Sequence, residues 1–189
     1  VEVDNDIFVF EAGLQHADEH TLGIDYIIPN IDYLKENKKK IRGIFLTHGH
    51  DENVGAITDI IDILDNVKIY GSKFTCHIVR QELITYKKKL DNLIEISDGQ
   101  ELKFNNIKIL PVNLSHSIPG NFGYEVHTRD GIIFYASDFV FDSTMIGPYK
   151  TELGRLAYIG RQGVLCLMCE SIYAMRNNHT SPNHRTKSI

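Results

Sequence analysis

Apolar residues in this chain fall in short blocks, each with its own period. Two blocks, IFVF (7–10) and IRGIFLT (41–47), are continuous, short and rich in β-branched and aromatic residues, the pattern of buried strands. Between them, IDYLKENKKK (31–40) predicts a short helix or a turn region. Within NVGAITDIIDILD (53–65), Ile57, Ile60, Ile61 and Leu64 recur at helical spacing. VKIYGS predicts a strand ending at Gly71. FTCHIVRQELITYKKKL (74–90) predicts a helix with Ile78, Leu83 and Tyr86 on one face. LIEIS, ELKF and IKILPVNL read as strands, separated by turn pairs such as Asp98-Gly99 and Asn105-Asn106. Residues 120–138 predict a hairpin that turns at Arg129-Asp130-Gly131. KTELGRLAYIG predicts a helix stopped by Gly160, and GVLCLMCES a further strand. Strands with helices interleaved predict a layered α/β or α+β sheet protein.

Composition narrows this picture. A length of 189 residues suits one domain, or one domain plus a fragment. A net charge of -5 argues against a strongly basic nucleic-acid module, because phosphate binding draws on clustered Lys and Arg. No apolar run approaches the ~20 residues of a membrane span, and no basic-then-apolar signal segment opens the chain. Three cysteines without framework spacing point to a reducing compartment, the cytoplasm. The chain starts at Val1 in strand-like sequence and is expected to be a piece of a longer protein. Residues 173–189, polar and aperiodic, are expected as loop or disorder.

The candidate chemistry sits in IFLTHGHDENVGAI (44–57), where an apolar strand ends in His48 and His50, followed by Asp51 and Glu52. A His-x-His loop at a strand end can turn both rings toward one ion, and zinc suits imidazole nitrogen. The plainer reading is two surface histidines. His116 follows another strand and Asp138 a third, although the first could simply bond a loop and the second cap a turn. Recurrence of such residues at successive strand ends implies a His48, His50, His116 metal shell with Asp138 as a carboxylate bridge. A metal so held lowers the pKa of bound water toward ~7.

LTHGH…VGAI, LGIDYIIP (22–29), SHSIPGNFG (115–123) and SDFVFD (137–142) together resemble ribonuclease J, of the metallo-β-lactamase fold with a β-CASP insert. The likeness runs from the first strand to IGRQGVLCLMCES, nearly the whole chain. It implies an α/β metallo-β-lactamase αββα sandwich, truncated, with residues 1–172 as a partial domain and 173–189 leading toward an absent β-CASP insert. The opening strands, the second half of the lactamase domain and the late histidine of the second metal site are also implied to be missing. Members of the family are two-metal ribonucleases that cut RNA internally or degrade it from the 5′ end, which implies RNA processing and decay, rRNA processing included.

The family loop reads His-x-His-x-Asp-His, whereas this chain reads His48-Gly49-His50-Asp51-Glu52-Asn53. Glu52 is one methylene longer than the Asp it replaces, and a displacement of about an ångström can cost a hundredfold. Asn53 is neutral, a poor transition-metal ligand. Glu11 and Glu170 also stand where the family usually has Asp. The resemblance is strongest to the second, catalytically weak paralogue of some bacteria, which pairs with an active one. It implies Glu52 and Asp138 as catalytic groups, His48, His50, His116 and Asp138 as metal ligands, and one zinc with an eroded second site, manganese or magnesium being alternatives. RNA and an active paralogue, or self-association, are the implied partners, with no membrane. A fully active zinc-dependent ribonuclease using Glu52 is the rival reading, and a small-molecule hydrolase of the same fold is a third, disfavoured by LGIDYIIP.

Other features carry less. Cys166 and Cys169 lie three apart on a strand, on opposite faces, so core packing is expected in place of a metal or redox pair. Lys38-Lys39-Lys40 and Lys87-Lys88-Lys89 read as solvated faces. His77, His127, His179 and His184 lack ligand context, as do His16 and His20, which the resemblance places near the active-site rim. The tyrosines and phenylalanines are expected in the core.

Overall fold

The computed structural model describes residues 1–65, 67–89, 91–172, 174, 175 and 177. The chain divides into two compact units, Val1–Ile96 and Ser97–Ile189.

The first unit holds a five-stranded sheet: β1 (Glu2–Val3), β2 (Asp6–Phe10), β5 (Ile41–Phe45), β6 (Ile69–Gly71) and β7 (Leu93–Glu95), in that order. β1 runs antiparallel to β2, and the other four strands are parallel. Parallel strands buried on both faces need unbroken apolar runs, which the first two sequence blocks supply. Phe45 stacks on Tyr70 at 4.9 Å between ring centroids, and Phe10 and Phe8 meet Phe45 from the neighbouring strand. A two-stranded ribbon, β3 (Gln15–His16) and β4 (Tyr26–Ile27), pairs Gln15 with Ile27. The helices are α1 (Asp32–Glu36), α2 (Asp51–Val54), α3 (Ile57–Ile60) and α4 (Lys73–Thr85). Ser72 caps α4, its hydroxyl accepting from the Thr75 amide.

Two helical expectations change in detail. The 53–65 segment has the predicted face, with Ile57, Ile60, Ile61 and Leu64 all buried, but it is not one helix. The loop after β2 intercepts its backbone. Ala12 N–H donates to the Asn53 carbonyl, Leu14 N–H to Asp51, and the Ala56 amide donates to the Ala12 carbonyl. Bonds spent on that loop are unavailable to a continuous helix. In α4, Cys76, Val79 and Leu83 form the buried face, while Tyr86 is exposed and Ile78 half-buried.

The second unit holds β12 (Val164–Cys169), β11 (Gly131–Ala136), β10 (Phe122–Thr128), β9 (Ile107–Asn113) and β8 (Leu102–Phe104), in that order across the sheet. All pairs are antiparallel except β11 with β12. The hairpin turn lies at Arg129-Asp130, with Gly131 at φ 142. Pro111 is tolerated within β9 because β8 pairs only as far as Ile109. α5 (Leu153–Arg161) runs one residue past Gly160, and Gly163, two residues beyond its end, supplies the left-handed turn at φ 83. Its Ile159 joins a buried cluster with Val112, Leu114, Ile132, Phe134 and Ala136. Arg155 of α5 donates to the buried Glu125 carboxylate of β10, which also bonds His127 at 2.8 Å. Cys166 and Cys169 are exposed, not packed in a core, on the edge strand of the sheet. Six aromatic side chains expected inside are also exposed: Tyr26, Tyr33, Phe74, Tyr86, Phe141 and Tyr158. Most of the 173–189 tail, with His179 and His184, lies outside the described residues.

Gly13 marks the tightest approach in the first unit. A Cβ there would stand 1.6 Å from the Glu52 carbonyl oxygen. Gly13→Ala is expected to cost about 3 kcal/mol or more, since backbone on one side must move. Urea unfolding of the two chains measures it.

Candidate metal centre

The C-terminal ends of parallel strands gather side chains at one edge of a sheet. Glu11 directly follows β2, and Thr47, His48 and His50 follow β5. Glu11 adopts φ 66, an uncommon value for a side chain larger than glycine. In that geometry its amide donates to the Phe45 carbonyl and its carboxylate accepts from the Thr47 amide at 3.1 Å. The histidine loop is therefore tied to the neighbouring strand before α2 begins.

His48 is fully buried and its ring is held on both sides. Thr47 Oγ1 lies 2.9 Å from Nδ1, and His50 Nδ1 lies 3.0 Å from Nε2. With Nδ1–H donating to the threonine hydroxyl, Nε2 presents its lone pair, the tautomer a metal ligand needs. His50 precedes α2 in extended geometry, and its carbonyl accepts from the Asn53 and Val54 amides. Glu52 is exposed on α2, whereas Asn53 is buried.

In the second unit, His116 is half-buried in the turn between β9 and β10. Ser115 braces that turn. Its amide donates to Thr151 Oγ1 at 2.7 Å, its hydroxyl accepts from the same threonine, and its carbonyl accepts from Val140. Asp138, half-buried after β11, accepts through its carbonyl from the Asn121 side chain at 2.8 Å. Neither Thr47 nor Thr151 was singled out by sequence reasoning. Thr47 had a signal, being adjacent to His48, whereas Thr151 lies 36 residues from Ser115 and had none.

No protein-family model matches the chain. It is 36% identical, over 97% of its length, to Ribonuclease J 2 of Staphylococcus aureus. This chain is related to ribonuclease J 2. It spans about a third of the length of the curated ribonuclease J 2 relatives it matches. Among solved structures, a protein of unknown function from Enterococcus faecalis aligns over 96% of this chain and 48% of its own, at TM-score 0.68 and 17% identity. A metallo-β-lactamase from Cronobacter sakazakii aligns over 89% of this chain and 65% of its own, at TM-score 0.55 and 15% identity. The fold is of the metallo-β-lactamase type.

In this ribonuclease J 2 relative both basic runs have lysines engaged by acids. Lys38 pairs with Asp65, Lys40 with Glu2 and Lys88 with Asp62. His16 approaches Asp51 at 3.6 Å with both groups open to solvent, and His127 serves Glu125. No helix among the described residues is long and apolar enough to cross a membrane.

Burial pushes the Cys76 thiol up to about 12, the nearby Glu95 adding to the shift. It stays protonated, and unreactive, far above neutral pH. A thiol reagent at pH 8 is expected to modify Cys166 and Cys169 in the native chain and Cys76 only after unfolding. Peptide mapping of the labelled chain reads this out.

Proposed function

We propose that this chain is the metal-holding part of a ribonuclease J 2-like protein of RNA processing and decay, with weak intrinsic activity and a role beside an active paralogue. One observation carries the metal reading: just after β5, His48 Nε2 and His50 Nδ1 converge to 3.0 Å, and His116 is proposed as the third ligand. Two ligands at ~2.05 Å on a tetrahedral ion stand about 3.3 Å apart, close to the 3.0 Å between His48 Nε2 and His50 Nδ1. Three imidazoles suit zinc better than magnesium or manganese, which favour oxygen. An ion there supplies Lewis acidity for phosphodiester hydrolysis at neutral pH.

The chain's own residues set how far that chemistry goes. Thr47 orients His48, and Ser115, held by Thr151, orients the His116 turn. Glu52 is the carboxylate proposed to orient the attacking water, at the end of a side chain that α2 leaves exposed. Asp138 is proposed to bridge toward a second ion. Asn53 offers that second ion no imidazole, which supports the weak-activity reading. RNA as substrate and a cytoplasmic site follow from the ribonuclease J 2 relationship as parts of this proposal.

Dialysed protein is expected to retain about one zinc per chain. Thr47→Val is expected to weaken zinc binding about tenfold or more, because the ring loses its orienting partner. Competition with a chromophoric chelator measures both. Two tightly held ions per wild-type chain would contradict the single-site reading.

The natural protein carrying this chain is expected to degrade 5′-monophosphorylated RNA slowly. Glu52→Asp combined with Asn53→His is expected to raise the single-turnover rate on the order of a hundredfold, by rebuilding a two-ion clamp. A wild-type rate equal to that of the double variant would instead mark Glu52 and Asn53 as a working variant site.

A further inference from the structure

We propose that the pocket beside Glu52 is a nucleobase subsite, selective for bases that carry an exocyclic amino group. The inference rests on the RNA reading above and adds which part of the substrate this chain grips. The pocket lies wholly in the first unit and has a volume of about 410 Å³, within the range of small-molecule sites.

Its walls are apolar: Phe10 and Leu14 from the β2–β3 segment, Ile27 and Ile28 from the β4 segment. The ribbon of β3 and β4 builds it, since Gln15 pairs directly with Ile27. Tyr26 fixes the ribbon from outside, its hydroxyl donating to Asp59 at 3.1 Å. This gives the LGIDYIIP stretch a physical task, because its Ile27, Ile28 and Pro29 line the cavity.

A base is flat, with apolar faces and a polar edge, and stacks on apolar or aromatic surface. The polar side chains here are Gln15 and Glu52, the Glu11 carboxylate being turned to the Thr47 amide. No Lys, Arg or His lines the pocket, so its charge repels phosphate. An ionised carboxylate only accepts hydrogen bonds. It therefore suits adenine, cytosine or guanine, whose amino groups donate, over uracil, whose single N–H sits between two carbonyl oxygens. Glu52 is two residues past His50, so a base held there lies beside the histidine loop.

Saturation-transfer NMR on the chain with AMP, CMP, GMP, UMP and ribose 5-phosphate tests this. Base protons of AMP, CMP and GMP are expected to receive the strongest transfer. UMP is expected to bind about fivefold more weakly, one hydrogen bond's worth, and ribose 5-phosphate not at all. Ile28→Asp, at a half-open position, should abolish nucleotide binding, Gln15→Ala should weaken it, and Glu52→Gln should level AMP with UMP. Zinc uptake is measured in the same samples. Nucleotide binding without zinc uptake would remove the metal centre and keep the subsite. Zinc uptake without nucleotide binding, equal binding of ribose 5-phosphate and AMP, or unchanged AMP binding in Ile28→Asp would each overturn the subsite.

Discussion

The docking of the β2–β3 loop onto the 51–56 backbone is the constraint on which the first unit's functional edge depends. Three backbone hydrogen bonds cross between Ala12 or Leu14 and residues 51, 53 and 56. They form only because Gly13 lets the loop lie against the Glu52 carbonyl. The same contact shortens α2 to one turn and aims the His48-to-Asn53 segment along the sheet edge. The contorted backbone at Glu11 is sustained by what it enables, a carboxylate on the Thr47 amide.

Around this the imidazoles are positioned by small, ordinary hydroxyls. A fully buried histidine ring would be costly without partners for both nitrogens. His48 has Thr47 on one side and His50 on the other. His116 is steadied indirectly, through Ser115, Thr151 and Val140.

The strand blocks, the 53–65 apolar face and the hairpin were legible because they rest on local period and turn chemistry. What was hidden depended on distant neighbours. Nothing near residues 53 and 56 in sequence announces that Ala12 will take their backbone bonds. Gly160 looked like a helix stop, but the chain needed a left-handed residue only at Gly163. Cys166 and Cys169 read as core because β12 is apolar, and edge position is a property of sheet order. At the centre, histidines 48 and 50 declared themselves through spacing. Thr151 did not, since a lone threonine before a helix looks like any cap.

The buried Glu125, with Arg155 and His127 around it, bears on how this sequence can drift. Loss of Arg155 alone would leave a carboxylate that is 2% exposed with His127 but without its guanidinium, a cost on the order of 3 kcal/mol. Replacing acid and base together by apolar residues of similar volume can be neutral. Exchanges at positions 125 and 155 are thus expected to be coupled. Co-variation there would trace the seating of α5 on its sheet, and would carry no information about catalysis.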